Sequence, residues 1–259
     1  MFLPLSEGSF TVDDSKEFIP FDPQTDQLHD RPGSLLVDIV PFLVRTKNEL
    51  VIIDPGLGMP SATGEFMILE NIQRAGYSAD DVTVILLSHL HKDHAGGICY
   101  GKDNAYDLMF PKARVFCQQQ ELDYALTKVN SPSFVLSKLD FLRSTSQLVL
   151  LKGDGNIDED ISYEISGGHT PFHQVFTIRT TAGTCFYGGD MVPQPKQLQM
   201  KFNAKYDYDG KLAAARRITY GSRAAENNYT VLFFHSAGMP MAKVRKEAGN
   251  KFLLERIGT

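Results

Sequence analysis

The chain has 259 residues, 42% of them hydrophobic, which is enough to bury a substantial core within one domain. Its 26 Lys and Arg against 31 Asp and Glu give a formal net charge of −5, and with no basic run this argues against a nucleic-acid partner. No apolar stretch is long enough to cross a bilayer. We therefore expect a single domain over residues 1–259 that binds neither nucleic acid nor membrane.

The predicted elements begin after residues 1–33, which are rich in Asp, Pro, Ser and Gly and predict an N-terminal arm with little regular structure. Strands over residues 35–46 and 49–54 are joined by a hairpin turn at Lys47–Asn48, and a helix over residues 65–75 ends at Gly76. Residues 82–87 are too apolar for a strand with a solvent-exposed face, so they predict a buried strand. Further strands are expected at 113–117, 147–151, 161–166, 175–180 and 184–189, helices at 118–129 and 210–227, and a C-terminal hairpin at 240–259.

The two halves of the chain contain the same order of predicted elements. FLVRT (42–46), a turn and a strand ending at Asp54 are matched by FTIRT (176–180), a turn and a strand ending at Asp190. A helix and another apolar strand follow in each half, ending at His89 and at His235. Short apolar runs can resemble one another by chance, but the matched order of elements favours a true repeat. Two such halves predict an α/β fold, a four-layer αββα sandwich from two pseudo-repeated halves, with the polar strand ends along one edge.

The segment SHLHKDHAGG (88–97) directly follows the buried strand. Because successive residues of an extended segment point to opposite sides, His89 and His91 can face one point in space, while Asp93 and His94 can reach a second. Separately satisfied structural histidines are the alternative. Three imidazoles and a carboxylate crowded at the end of a core strand are better explained by a shared cation.

Three further residues complete the predicted metal site. His169 lies in the turn GGHTPFH (167–173), Asp190 follows two glycines, and His235 leaves an apolar strand as His89 does. These nitrogen and oxygen donors suit two divalent metal ions, with Zn²⁺ as first choice and Mn²⁺, Fe²⁺ or Co²⁺ as alternatives. The candidate ligands are His89, His91, Asp93, His94, His169, Asp190 and His235.

This set, in this order between about residues 35 and 240, resembles the metallo-β-lactamase superfamily, whose pattern also includes the early Asp54 and the sequence GHTPxH (168–173). The resemblance implies that His89, His91 and His169 hold one ion. It implies that Asp93, His94 and His235 hold the other. Asp190 would bridge the two ions, and Asp54 would orient a ligand histidine without binding metal.

A metal-bridging hydroxide is the expected nucleophile, since two nearby ions lower the pKa of a shared water toward about 7. Asp190 and Asp93 are the candidate catalytic residues, and Asp93 is the candidate to accept and return a proton. The expected reaction is hydrolysis of a small ester or lactone substrate, with a thioester (glyoxalase II type) or a phosphotriester as the alternative. A non-catalytic metal-binding module and a mononuclear iron oxygenase are the hypotheses of a different class.

The segment after Asp190 is similar to the lactonase and methyl-parathion-hydrolase-like branch. Quorum-quenching lactonases carry a Tyr three residues after the bridging Asp, whereas this chain has Pro193, which argues against acyl-homoserine-lactone specificity. Superfamily members often dimerise, so a homodimer is possible. The residues expected either at an apolar pocket rim or in core packing are Leu90, Phe172, Met191, Val192 and Pro193, with Phe202, Tyr206 and Tyr208 as further candidates.

Three smaller expectations complete the analysis. The N-terminal residues lack the basic leader and apolar run of a signal peptide, which favours a cytoplasmic protein. The three cysteines are odd in number and form no CxxC pair, which predicts buried thiols rather than a disulfide framework or a thiolate zinc site. His173 is expected to make a structural hydrogen bond, and His29 to be exposed.

Overall fold

The computed structural model describes residues 1–102, 105–200 and 203–258. The strands, in chain order, are β1 (Phe2–Pro4), β2 (Gly8–Val12), β3 (Ile19–Pro20), β4 (Leu35–Ile39), β5 (Phe42–Arg45), β6 (Leu50–Ile53), β7 (Val84–Leu86), β8 (Cys99–Lys102), β9 (Ala105–Leu108), β10 (Arg114–Gln118), β11 (Leu148–Leu151), β12 (Gly155–Asn156), β13 (Ile161–Ile165), β14 (Gln174–Thr180), β15 (Gly183–Tyr187), β16 (Thr230–Leu232), β17 (Met241–Lys246) and β18 (Phe252–Arg256). The helices are α1 (Met67–Arg74), α2 (Lys92–Ala95), α3 (Gln119–Leu126), α4 (Leu136–Ser144), α5 (Lys196–Gln199) and α6 (Gly210–Glu226). Short 3-10 segments lie at Leu28–Asp30, Ala79–Asp81, Gly96–Ile98, Gly189–Met191 and Ala248–Asn250.

Two large sheets carry the predicted repeat. The first has the order β1-β5-β6-β7-β10-β11, and the second has the order β12-β13-β14-β15-β16-β17-β18. In the first sheet β5 and β6 are antiparallel and β7 adds in parallel to β6. In the second, β14 and β15 are antiparallel and β16 adds in parallel to β15. The shared pairing order confirms the two-half architecture, and the second sheet then ends in the predicted C-terminal hairpin, β17 and β18.

Three hydrophobic clusters separate four layers. On β5, Leu43 belongs to a buried cluster that contains residues of α1, α3 and α4, while Phe42 and Val44 belong to a cluster that contains residues of the second sheet. On β15 and β16, Cys185 and Leu232 fill the space between the sheets, and the opposite face of the second sheet packs against α6. This alternation follows from the two-residue period of a strand and confirms the four-layer αββα sandwich. Within the described ranges, no helix combines the length and apolar character needed to cross a bilayer. All three cysteines are buried free thiols, as predicted.

Two expectations about the first 46 residues are wrong. The strand predicted over 35–46 is interrupted at Pro41, which has no N–H for a sheet ladder, so β4 and β5 belong to different sheets. The N-terminal segment is not irregular, because β2 pairs with β3 and with β4 in a separate three-stranded sheet and β1 pairs with β5. These strands are only two to five residues long, so local periodicity could not reveal them. The sequence analysis also missed the β8–β9 hairpin and α4.

Glu7 connects this N-terminal segment to the loop that follows β6 and packs on the end of the histidine motif. Its side chain is buried, and its carboxylate accepts hydrogen bonds from the backbone N–H groups of Leu57 (2.7 Å) and Gly58 (3.1 Å). That loop lies directly on Gly97, where an added Cβ would collide with the carbonyl oxygen of Pro55. The glycines at the end of the motif are therefore required by a close backbone approach that Glu7 helps to hold.

Burial raises the pKa of Glu7 from 4.5 to about 7, although the backbone donors oppose the shift. A carboxyl group whose pKa is raised on folding contributes stability that is fully present below pH 4.5 and is lost as the pH rises through 7. Between about pH 5 and about pH 8 we expect the free energy of unfolding of the wild type to fall by about 2 kcal/mol relative to that of Glu7→Gln. Urea unfolding of both proteins across this range measures the difference, and a constant difference would contradict the prediction.

Candidate metal centre

The residues of the histidine motif come directly from the end of a buried strand. β7 ends at Leu86, His89 and His91 lie in the following loop, and α2 carries Asp93 and His94. The first turn of α2 closes with the backbone N–H of His94 bonded to the carbonyl oxygen of His91 at 3.0 Å. The loop therefore presents His91 and His89 to one point, and the helical turn directs Asp93 and His94 toward another.

The second half of the chain contributes the other candidates at the same edge. His169 lies in the loop between β13 and β14, Asp190 in the 3-10 segment after β15, and His235 in the segment after β16. Gly189 has a positive φ of 48°, and a Cβ there would lie 2.7 Å from Oγ of Ser88 and from Nε2 of His173. A glycine is thus needed for the turn that directs Asp190 into the site.

Three imidazoles form what we call the first cluster: His89, His91 and His169. Nε2 of His89 lies 3.0 Å from Nδ1 of His91, which in turn lies 3.1 Å from Nε2 of His169. Oδ2 of Asp190 lies 3.1 Å from the same nitrogen of His169. Four potential metal-binding atoms therefore converge, and all of them belong to buried or half-buried residues.

The second cluster consists of Asp93, His94 and His235. Oδ1 of Asp190 lies 3.1 Å from Nε2 of His94 and 3.1 Å from Nε2 of His235. Oδ2 of Asp93 lies 3.7 and 3.6 Å from these two nitrogens. The two carboxylate oxygens of Asp190 thus face different clusters.

The donor atoms fit divalent metal ions. Donors that bind one zinc ion tetrahedrally at about 2.1 Å lie roughly 3.4 Å apart, and the separations above bracket that value. Among the described residues, Nε2 of His94 and Oδ1 of Asp190 are buried without a hydrogen-bond partner. Since Nδ1 of His94 is bonded to Asp54 at 2.8 Å, a neutral His94 turns a lone pair toward Asp190. A divalent ion between these two atoms would satisfy both of them, in place of a proton on Nε2 of His94.

Electrostatics favours the metal-binding protonation state at His89, His91 and Asp190. Burial and the neighbouring imidazoles lower the pKa of His89 and of His91 well below 6.5, so both are neutral and keep a free lone pair. Burial acts to raise the pKa of Asp190, but His94, His169 and His235 outweigh it and hold that pKa well below its usual range. For His94, the carboxylates of Asp190 and Asp93 overcome burial and raise the pKa well above 6.5. A divalent ion would replace the proton that these carboxylates attract.

Asp54 is the centre of a buried hydrogen-bond network behind the site. It accepts from the N–H of Ser88 (2.7 Å), Oγ of Ser88 (2.5 Å), Nδ1 of His94 (2.8 Å) and the hydroxyl of Tyr187 (2.6 Å). His89 and His94 also lie near Asp54, and together they form a third possible ligand group. The carboxylate of Asp54 is already saturated by these four donors, so we place it behind the histidines rather than at an ion.

The other histidines are also held from behind. Nδ1 of His235 donates to the carbonyl oxygen of Asp38 at 2.7 Å, and Nδ1 of His169 lies 3.0 Å from Oδ1 of Asp207. His173 bonds Oγ of Ser166 at 2.8 Å and accepts from the N–H of Asp190 at 3.2 Å, which agrees with its expected structural role. The sequence analysis missed Asp207 because its link to His169 spans 38 residues and no local pattern marks it.

A cleft of about 490 Å³ opens onto both clusters. Of the five rim residues expected from the sequence, only Pro193 lines it, while Leu90, Met191 and Val192 are core residues. Tyr206 lines the cleft, Tyr208 does not, and Phe202 lies outside the described residues. The apolar wall of the cleft was not predicted: it comes from β2 and β4 of the N-terminal sheet and from Phe18 just before β3, and its residues are Val12, Phe18, Leu35, Leu36 and Val37. His29 is exposed, as predicted.

A family model described as the metallo-beta-lactamase superfamily matches residues 37–227. An N-acyl homoserine lactonase from Bacillus thuringiensis is 25% identical over 170 residues, a match that covers 58% of this chain and 62% of that protein. The chain thus spans less than two thirds of that relative.

Two solved structures share the fold. One is AidC, described as a dizinc quorum-quenching lactonase in complex with a product, with a TM-score of 0.74 and 23% identity; the match covers 100% of this chain and 94% of that chain. The other is a probable metal-dependent hydrolase from Staphylococcus aureus, with a TM-score of 0.77 and 18% identity, covering 100% and 97% of the two chains. At these identities the likeness concerns the fold.

Proposed function

Since this chain belongs to the metallo-beta-lactamase superfamily, we propose that it is a dinuclear metal-dependent hydrolase that cleaves a small ester or lactone. The observation that carries the proposal is the placement of Asp190, whose two carboxylate oxygens lie 3.1 Å from histidines of different clusters. A carboxylate placed in this way could be shared by two ions, one at each cluster. We further propose that residues 1–259 form one domain, because the N-terminal sheet supplies a wall of the same cleft.

The first cluster with Oδ2 of Asp190 would hold one ion, and the second cluster with Oδ1 of Asp190 would hold the other. The donors are imidazole nitrogens and carboxylate oxygens, which makes Zn²⁺ the first choice and leaves Mn²⁺, Fe²⁺ and Co²⁺ as alternatives. When bound, two such ions generate hydroxide from water at neutral pH and stabilise the negative charge that develops on the substrate oxygen.

The protein's own side chains orient and exchange protons around this centre. Asp54, Ser88 and the Asp38 carbonyl fix the far nitrogens of His94, His89 and His235, so that their other nitrogens face the site. Asp93 borders the cleft with part of its carboxylate exposed, where it can take up a proton and return it to a leaving oxygen.

Tyr206 is placed to hold the substrate. Gln197 Nε2 donates to its hydroxyl at 3.3 Å, which leaves the phenolic proton available to an oxygen in the cleft. Burial, aided by the charge of Asp190, raises the pKa of Tyr206 to about 12, so the hydroxyl stays a donor throughout the working range. This residue lies 16 positions after Asp190, in a different place from the Tyr that quorum-quenching lactonases carry where this chain has Pro193.

The form of the cleft supports a substrate with an apolar arm. Its volume suits a small molecule, and five apolar side chains of the N-terminal segment line it together with residues of both clusters. The B. thuringiensis relative is named an N-acyl homoserine lactonase, and AidC is described with N-hexanoyl homoserine as product. Both names favour a lactone, while Pro193 argues against the homoserine lactone in particular.

A substrate panel tests the proposal. With zinc-loaded protein, we expect an acylated lactone or an open ester with an arm of several carbons to reach a kcat/KM of about 10⁴ M⁻¹s⁻¹ or more. We expect a thioester and a phosphotriester of matched length to be at least about tenfold slower, because their transition states differ in charge and shape. Initial rates on the four substrate classes, with chelated protein as the control, give the comparison.

The outcomes separate the alternatives. A thioester or phosphotriester as the best substrate would replace the ester assignment while keeping the metal centre. Failure of zinc-loaded protein to hydrolyse any of the four classes would contradict the proposed hydrolase and favour a metal-binding module.

A further inference from the structure

Asp207 and Arg217 form a buried ion pair directly behind the first cluster. Oδ1 of Asp207 lies 3.0 Å from Nδ1 of His169, and a terminal nitrogen of Arg217 donates to Oδ2 of Asp207 at 3.1 Å. The side chains of His169, Asp207 and Arg217 are 4%, 0% and 3% exposed. Nε of Arg217 also donates to the carbonyl oxygen of Met191, the residue after Asp190, at 2.8 Å. One guanidinium thus connects the supports of two candidate ligands.

The backbone holds this arrangement in place. The N–H of Tyr208 donates to the carbonyl oxygen of His169 (3.1 Å), and the N–H of Asp209 donates to that of Gly168 (2.8 Å). Asp209 then caps α6, its carboxylate accepting from the N–H of Leu212 at 2.9 Å, and α6 carries Arg217. The backbone that follows Asp207 is therefore bonded to the loop of His169, while the carboxylate itself is held by its contacts with His169 and Arg217.

The chemistry of Arg217, Asp207 and His169 determines which of these groups donate hydrogen bonds and which accept them. A guanidinium only donates and an ionised carboxylate only accepts, so Arg217 and His169 must both donate to Asp207. The proton of a neutral His169 is therefore on Nδ1, and the lone pair is on Nε2, which faces His91 and Asp190. A metal ion binds only a nitrogen that offers its lone pair.

We propose that Asp207, locked by Arg217, is a positioning residue that fixes the tautomer of His169 and thereby sets the metal affinity of the first cluster. The inference rests on the proposed dinuclear centre. A merely structural ion pair would stabilise the loop without favouring either tautomer, and the two roles differ in their response to an amide at position 207.

Asp207→Asn distinguishes these roles. Arg217 would still require an acceptor, so the amide oxygen of the new side chain would turn to Arg217 and its NH₂ group to Nδ1 of His169. Nδ1 would then accept, the imidazole proton would move to Nε2, and the lone pair facing the cluster would be lost. We expect the affinity for one of two Zn²⁺ equivalents to fall by about 10- to 100-fold. The second cluster should keep its own affinity within a few-fold.

Adding Arg217→Met to the same chain provides the decisive comparison. Without the guanidinium, the amide oxygen introduced by Asp207→Asn can accept from His169, which restores the productive tautomer. The double variant Asp207→Asn with Arg217→Met should therefore bind the weakened Zn²⁺ equivalent several-fold more tightly than Asp207→Asn alone. Loss of loop stability would instead make the double variant the weaker binder, since it lacks the Met191 contact as well.

The measurement is Zn²⁺ affinity by competition with a chelator, together with the visible absorption of the Co²⁺-loaded proteins, which reports the donor set of each site. Glu164→Gln is the matched control, because Glu164 also pairs with an arginine of α6, Arg223, at 2.7 Å. It should keep both wild-type Zn²⁺ affinities and the Co²⁺ spectrum.

Unchanged Zn²⁺ affinity in Asp207→Asn, or a double variant that binds no better than the single variant, would overturn the inference. Failure of the wild type to bind two Zn²⁺ ions would instead refute the proposed function, so the two failures are distinguishable.

Discussion

Replacing Asp190 with alanine is expected to abolish turnover and metal uptake together. The carboxylate of Asp190 faces both clusters, each at 3.1 Å, so in the proposed centre its loss would remove one ligand from each ion and leave mainly imidazoles around two positive charges. Loss of a single preorganised group costs about 10²- to 10³-fold in rate, and loss of a shared ligand should reduce kcat/KM by about 10³-fold or more. Rates and zinc content measured on the same preparation test the expectation, and we expect fewer than one equivalent per chain.

Asp158→Ala is the matched control for this variant. Asp158 accepts hydrogen bonds from the N–H groups of Asp160 and Ile161 at a turn of the second sheet, outside both clusters. Its removal should lower stability slightly and leave zinc content and turnover at wild-type values. Near-normal turnover of Asp190→Ala would refute the dinuclear scheme.

The second large effect is expected from Asp54→Asn. Asp54 has a positive φ of 47°, a conformation that asparagine also tolerates, so the substitution changes hydrogen bonding with little added backbone strain. An amide has one acceptor oxygen where the carboxylate has two, and its NH₂ group would face donors from Ser88, His94 or Tyr187. With at least two buried donors unpaired, we expect a loss of about 3–5 kcal/mol in the free energy of unfolding. Urea unfolding at neutral pH measures it.

Tyr187→Phe gives the graded comparison. It removes one donor and leaves the other three contacts of Asp54 in place, so the expected loss is about 1 kcal/mol. An Asp54→Asn protein no less stable than Tyr187→Phe would show that the buried network does not hold the site together.

The repeat and the histidine motif were predictable because their signals are local. Each half contains an antiparallel strand pair joined by a short turn, followed by a strand that adds in parallel, and periodicity marks those strands. His89 and His91 converge because of their spacing after one buried strand, and His235 follows the corresponding strand of the other half. Residues whose positions are determined by their spacing and by the ends of strands could therefore be predicted from the sequence to lie close together.

Features that depend on distant partners were not predictable. Pro41 divides a continuous apolar run, but its effect is visible only when β4 is seen to pair with β2 rather than with the first sheet. The apolar wall of the cleft arises from that pairing. Because the pairing was not predicted, the rim of the cleft was expected near Asp190 instead. Met191 and Val192 are apolar and close to the site in sequence, yet their side chains turn into the core behind it.

The number of metal ions bound per chain tests the central claim most directly. Elemental analysis after equilibration with excess Zn²⁺ and removal of unbound metal should give two equivalents for the wild type. One equivalent, or one bound iron accompanied by oxygen consumption, would contradict a centre in which Asp190 serves two ions.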